Sequence, residues 1–216
     1  MILDLLFPNR CLHCNRIISG EEIVCQLCFD QINFTHHQFE ENNILKERCK
    51  LLFPLEKAFA LMQFEKEGLS QKIIHSLKYG NREKVGKILA EWTSECLNFE
   101  NEKIDLIATV PLHPKKQRKR GYNQLHCFAD TLSKNFEIPV NHQLLKRNSS
   151  DKSQATKDKI HRSETVNLFS LNKEISGKNI LLIDDVLTTG NTLSSIAWEI
   201  LKSGNNKVSV LVMAID

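Results

Sequence analysis

The chain lacks any run of 18 or more apolar residues, which excludes a membrane-spanning helix. It lacks a secretory leader: the apolar stretch in MILDLLFPNRC is short, is broken by Asp4, and has neither a basic start nor a small-residue cleavage site. It has no internal repeat and no coiled-coil pattern. Its net charge is only +3 over 216 residues, which excludes a uniformly basic surface. These absences point to a cytoplasmic globular protein, long enough for one substantial core and a small appendage.

What the chain does have is unevenly placed. Residues 113–120, HPKKQRKR, carry five Lys/Arg and no acid. Residues 146–162 carry six Lys/Arg against Asp151 and Asp158. Without these two segments the chain would stand at −6. Charge concentrated this way indicates a specific anion site or a nucleic-acid patch, with plain solvated loops as the alternative.

Cysteine is concentrated too. Cys11, Cys14, Cys25 and Cys28 form two C-x2-C pairs ten residues apart, while Cys49, Cys96 and Cys127 show no pairing. Paired cysteines supply two ligands from one tight turn, and Asn15 and Gly20 suit the turns between them. Thiols stay reduced in the cytoplasm, so disulfides are a poor reading. The expectation is structural Zn²⁺ on Cys11, Cys14, Cys25 and Cys28, with no open position for catalysis. His13 lies between two of these ligands and is a residue to check against the metal. His36 and His37 read as surface, and Cys96 and Cys127 as core.

Residues 36–48 are polar and read as linker or loop. Beyond them the pattern becomes regular: strands at 59–64, 104–112, 179–183 and 208–215, with a further strand beginning at 138–140. Helices are expected at 69–77 and 85–96, where Val85, Ile88, Leu89, Trp92 and Cys96 share a face. Leu125, Phe128, Ala129 and Leu132 make another helical stripe, as do Leu193, Ile196, Ala197, Ile200 and Leu201. Residues 148–163 are polar, aperiodic and loop-like. The layout is a small zinc finger with four cysteine ligands at 1–35, a linker at 36–56 and a main domain at 57–216. The expected fold class is α/β, a mostly parallel twisted sheet with helices on both faces. Ligands bind such sheets beyond the carboxyl ends of the strands, so the basic segment and Asp184–Asp185 should meet on one edge.

The stretch ILLIDDVLTTGNTL drives a buried strand into two carboxylates, then into hydroxyls and a glycine. N–H groups at the following helix start favour an anion, Gly190 permits close approach, and the threonines add donors. The carboxylates accept from vicinal hydroxyls or hold a divalent cation. A sugar phosphate satisfies both halves.

LLIDDVLTTGNTL resembles the phosphoribosyl pyrophosphate (PRPP) motif of type I phosphoribosyltransferases. That resemblance implies ribose contact by Asp184 and Asp185, with Mg²⁺ accompanying PRPP. It implies a 5-phosphate loop of Leu187, Thr188, Thr189, Gly190, Asn191 and Thr192. The cysteine pairs, HSLKYGNREKVGKIL, VPLHPKKQRKRGYNQ and KSQATKDKIHRSETVNLF follow in the order seen in the ComF family, which the chain resembles end to end. ComF proteins are bacterial proteins linked to DNA uptake in natural transformation, a zinc finger fused to a phosphoribosyltransferase domain. The resemblance implies handling of incoming single-stranded DNA, with a DNA-uptake helicase or recombination protein as partner.

In phosphoribosyltransferases the loop after the first core strand contacts pyrophosphate. Here that role falls to Lys115, Lys116, Arg118, Lys119 and Arg120, with Lys78 of LKYG as a further cation. The same segment, with Tyr122 as a stacking platform, suits a single-stranded backbone. Residues 153–167 lie where the family's flexible lid would sit, and Gln154, Arg162 and Asn167 match the ComF pattern. Two readings stand: a phosphoribosyltransferase, of nucleotide salvage for example, or a non-catalytic module sensing PRPP or a nucleotide while binding DNA or a helicase. No general base for a purine or pyrimidine is identifiable, which leaves the acceptor open.

Overall fold

A computed structural model of the protein describes residues 8–39, 41–80, 82–99, 103–148 and 168–216. In chain order the elements are α1 (Gln26–Phe29), α2 (Ile44–Lys50), β1 (Ala58–Gln63), α3 (Leu69–Tyr79), α4 (Arg82–Cys96), β2 (Leu106–Thr109) and α5 (Pro114–Arg120). There follow α6 (Leu125–Phe136), β3 (Val140–Asn141), β4 (Leu145–Arg147), β5 (Phe169–Leu171), β6 (Asn179–Leu187), α7 (Asn191–Lys202) and β7 (Lys207–Ile215).

Five strands form one sheet in the order β1-β7-β6-β2-β3, and every neighbouring pair is parallel. The apolar run Ile180, Leu181, Leu182 and Ile183 is fully buried in the middle of it, as a parallel strand covered on both faces must be. From β2 the chain crosses through α6 to β3, one way along the sheet. From β6 it crosses through α7 to β7, the other way. Right-handed crossovers in opposite directions place α6 and α7 on opposite faces. The loops leaving β2 and β6 therefore part at a crevice between adjacent strands, the place where open α/β sheets bind ligands. Both helices bury the stripes read from the sequence: Leu125, Phe128, Ala129 and Leu132 on α6, and Leu193, Ile196, Ala197 and Ile200 on α7.

The structure departs from the sequence reading in three stretches. Residues 36–48 are not wholly loop: Asn43 caps α2 by accepting from the Lys46 N–H, and Leu45 and Cys49 are buried against β1. The basic segment is a helix. His113 caps it, Pro114 occupies its first turn, and Gly121 ends it at φ 75°. β4 pairs antiparallel with β5, short strands that the sequence reading did not mark, and the Asn148 N–H donates to the Leu168 carbonyl at 2.9 Å. Cys96 is exposed and Cys127 half-buried, so neither belongs to the core, whereas Cys49 does. Cys96 is the last residue of α4, next to the buried Leu97, and Cys127 sits beside the inward stripe of α6.

The cysteine-bearing segment docks on the main domain. Thr35 N–H donates to the Leu61 carbonyl and Gln63 N–H to the Asn33 carbonyl, so the segment covers the outer edge of β1. Phe29, Phe34 and Trp92 pack together with ring centroids 5.1–5.9 Å apart. Among the described residues no helix is long and apolar enough to cross a membrane.

Candidate functional site

The thiol sulfurs of Cys11, Cys14, Cys25 and Cys28 lie within 4.8 Å of one another, with Cys14 and Cys25 at 3.6 Å. A tetrahedral zinc site with Zn–S of about 2.3 Å needs sulfurs roughly 3.8 Å apart, so the four fit the ion with little rearrangement. Asn15 supplies the left-handed turn behind Cys14 at φ 61°. Burial, then hydrogen bonds that the Cys28 thiol donates to the other three cysteines, push it up to about 12. Four thiolates cannot share this space without a cation to neutralise them. His13 is not in the cluster; its Nδ1 lies 3.3 Å from Lys72 Nζ.

At the sheet's carboxyl edge, β2 pairs with β6 only as far as Thr109 opposite Ile183. β6 runs on through Asp184 to Leu187, flanked by β7 alone. The acidic pair is thus inside the strand, past the end of its neighbour, not past the strand's own end as the sequence suggested. Consecutive strand residues point to opposite faces, which separates the two carboxylates. Asp185 Oδ2 accepts from Gln124 Nε2 at 2.6 Å and pairs with Lys78 Nζ at 3.1 Å. Asp184 lines a recess of about 40 Å³ with Leu187, Thr188, Thr189, Gly190, Asn191 and Thr192. Burial raises the Asp184 carboxyl to about 8, the Asp185 charge adds to this, and the Asp185 N–H, Lys78 and Lys116 oppose it.

The folded chain holds the Asp184 proton more tightly than the unfolded one, so stability falls as pH rises from the ordinary carboxylate range toward the folded value of about 8. In the ligand-free protein Asp184→Asn is expected to raise Tm by roughly 2–4 °C, about 1 kcal/mol, near pH 8, and by nothing near pH 4. Thermal scans giving equal gains at both pH values would show that the carboxyl is not desolvated.

The loop after β6 turns at Gly190, φ 77°, into α7. The N–H groups of a helix's first turn have no partner within the helix. Thr188, Thr189 and Asn191 are exposed, while Leu187 is buried and offers only main-chain atoms. Across the crevice, Lys115, Lys116, Arg118 and Lys119 are exposed on α5. Arg120 is half-buried and tied inward: it donates to Gln124 Oε1 and to the Tyr79 hydroxyl, both at 2.9 Å. Asp185, Gln124, Arg120 and Tyr79 are therefore one connected polar chain.

Tyr122 is not an open platform. It is half-buried, and its hydroxyl donates between the Leu77 and Lys78 carbonyls. Tyr79 is an exposed aromatic on this face, 57% accessible, with the Arg120 guanidinium 4.6 Å from its ring centroid and His75 4.9 Å away. Sequence reasoning missed Tyr79 and Gln124. The first had a signal: Ile73, Ile74 and Leu77 define the buried face of α3, and Tyr79 falls off it. Gln154, Arg162 and Asn167 lie outside the described residues.

Two family models match the chain: a phosphoribosyl transferase domain over residues 126–214 and a double zinc ribbon domain over residues 2–39. Competence protein ComFC of Bacillus subtilis is 30% identical over 211 residues, covering 94% of this chain and 82% of that one. Competence protein F of Haemophilus influenzae is 27% identical over 226 residues, covering 96% and 97%. DNA utilization protein YhgH of Escherichia coli O157:H7 is 27% identical over 144 residues, covering 64% and 63%.

Proposed function

The chain belongs to the ComF family of competence proteins, and from that membership we propose that it binds Mg²⁺–PRPP at the crevice between β2 and β6 and handles single-stranded DNA during natural transformation. One observation carries the ligand assignment. The acidic pair, the helix-start loop and the cationic helix α5 converge on the point where the sheet's connections diverge.

In this reading Asp184 and Asp185 accept from the ribose hydroxyls. The N–H groups at the start of α7, with Thr188, Thr189 and Thr192, hold the 5-phosphate. Lys78 and the α5 cations face the pyrophosphate. Mg²⁺, when bound, neutralises charge on the pyrophosphate oxygens, with the carboxylates as its protein ligands. The direct test is calorimetric titration of the zinc-loaded protein with Mg²⁺–PRPP. If transfer occurs, the C1–O bond breaks, pyrophosphate leaves and an acceptor adds at C1, catalysed by positioning and charge. Pyrophosphate release with bases or amines separates this enzyme from a PRPP sensor.

The DNA assignment rests on Tyr79 and Arg120 beside the exposed cations of α5. Stacked bases are worth about 1–3 kcal/mol each, so Tyr79→Ala should weaken single-stranded DNA binding by roughly tenfold or more. Reversing Lys115, Lys116, Arg118 and Lys119 to Glu should flatten the salt slope by about 0.7 for each phosphate no longer neutralised. An unchanged affinity and slope in both variants would remove DNA from this face. A DNA-uptake helicase or recombination protein in the cytoplasm is the partner class the reading implies.

A further inference from the structure

The stretch between the cysteine domain and β1, residues 43–53, is built against the loop that follows β6. Asn43 caps α2 and also donates from Nδ2 to the Ala58 carbonyl at 2.8 Å, tying the helix to β1. Leu45, Cys49 and Phe53 are buried, so α2 is a fixed body and not a tether. From it the Arg48 guanidinium reaches two main-chain oxygens: Nη2 donates to that of Thr188 and Nη1 to that of Asp216. The Asp216 N–H in turn donates to the Leu187 carbonyl at 3.0 Å. One planar fork thus joins the loop's first corner to the end of β7.

The far side of the loop is held by Leu52. A Cβ at Gly190 would fall 2.5 Å from Leu52 Cδ1, so the glycine backbone lies directly against that side chain. The Leu52 carbonyl accepts from Trp198 Nε1 at 3.1 Å and Ser194 Oγ at 3.4 Å, both on α7. Contacts on both flanks of residues 188–190 leave that backbone little freedom.

Resting on the proposed phosphate loop, we infer that Arg48 is a positioning residue that holds this loop in its anion-binding form. The peptide unit is planar and trans, so the Thr188 carbonyl and the Thr189 N–H point in opposite directions. Holding the carbonyl out toward Arg48 turns the N–H the other way. Released, the peptide can flip, and a carbonyl oxygen would then confront an anion. Donors fixed before the ligand arrives cost no reorganisation when it binds. Lysine cannot replace the fork, because one ammonium does not bridge two oxygens in a fixed plane.

The test compares wild type, Arg48→Ala and Arg48→Lys by hydrogen exchange and by Mg²⁺–PRPP calorimetry. Both variants should exchange amides 189–194 about tenfold faster than wild type, with β2 amides unchanged. Both should bind Mg²⁺–PRPP about tenfold more weakly, the size of one lost charge-assisted hydrogen bond. Full rescue by lysine would mean that charge alone matters, and would overturn the positioning role. So would unchanged loop exchange, or a loosened loop with unchanged affinity. If wild type itself fails to bind Mg²⁺–PRPP, the PRPP reading falls, and the exchange comparison still decides whether Arg48 holds the loop.

Discussion

Titrated with Mg²⁺–PRPP, the wild-type protein is expected to give a saturable heat, and Asp184→Asn/Asp185→Asn to give none at matched concentrations. The expected loss is about 100-fold or more, since two charged acceptors are replaced and each hydrogen bond to a charged group is worth about 1.5–3 kcal/mol. Asparagine keeps the volume and one oxygen but cannot neutralise Mg²⁺. The loss has a second source in the protein. Lys78, 3.1 Å from Asp185, would lose its counter-charge and be freed to reorient. Zinc content should be unchanged and the fold retained, because the pair lies at the sheet's carboxyl edge and contacts none of the four cysteines. Equal heats from both proteins would sink the assignment of this crevice to PRPP.

Removal of zinc should have the larger structural effect. Cys25→Ser/Cys28→Ser, or a strong chelator, is expected to leave the ribbon unfolded on an otherwise folded main domain. Structural zinc contributes about 10–16 kcal/mol in isolated finger peptides, and a four-thiol cluster this small has little core of its own to fall back on. The reporter is built in: Trp92 lies under Phe29 and Phe34, so its emission should shift to the red when the ribbon leaves. The edge of β1 would also be uncovered, an aggregation hazard. A Tm fall on the order of 10 °C is expected from the lost packing. Native mass spectrometry showing no bound zinc in wild type, or an unshifted Trp92 signal in the variant, would refute the structural role.

Much of the site was legible because its signals are local. Two C-x2-C pairs are short-range geometry. The acidic pair followed by Thr188, Thr189 and Gly190 is one strand, one turn and one helix start. Helix stripes at Leu125 and Leu193 repeat every turn. Some misses were also local. HPKKQRKR has Pro at its first turn and Gly past its end, which marks a helix, but its run of charges carries no apolar stripe. The β4–β5 pair has only three residues a side, too few for periodicity to register.

By itself the sequence determined the four-cysteine cluster, the alternating α/β plan and the loop that follows the acidic strand, because covalent neighbours are enough to write each of them. Only the tertiary structure decided what surrounds that loop. It set Asp184 and Asp185 past the end of β2, joined Asp185 to Lys78 and Gln124, and exposed Tyr79 where Tyr122 had been expected. It also brought Arg48 to Thr188 and Asp216, partners 140 and 168 residues away. A contact of that span leaves no periodic trace in the chain; it exists only after the sheet has closed and α2 has docked.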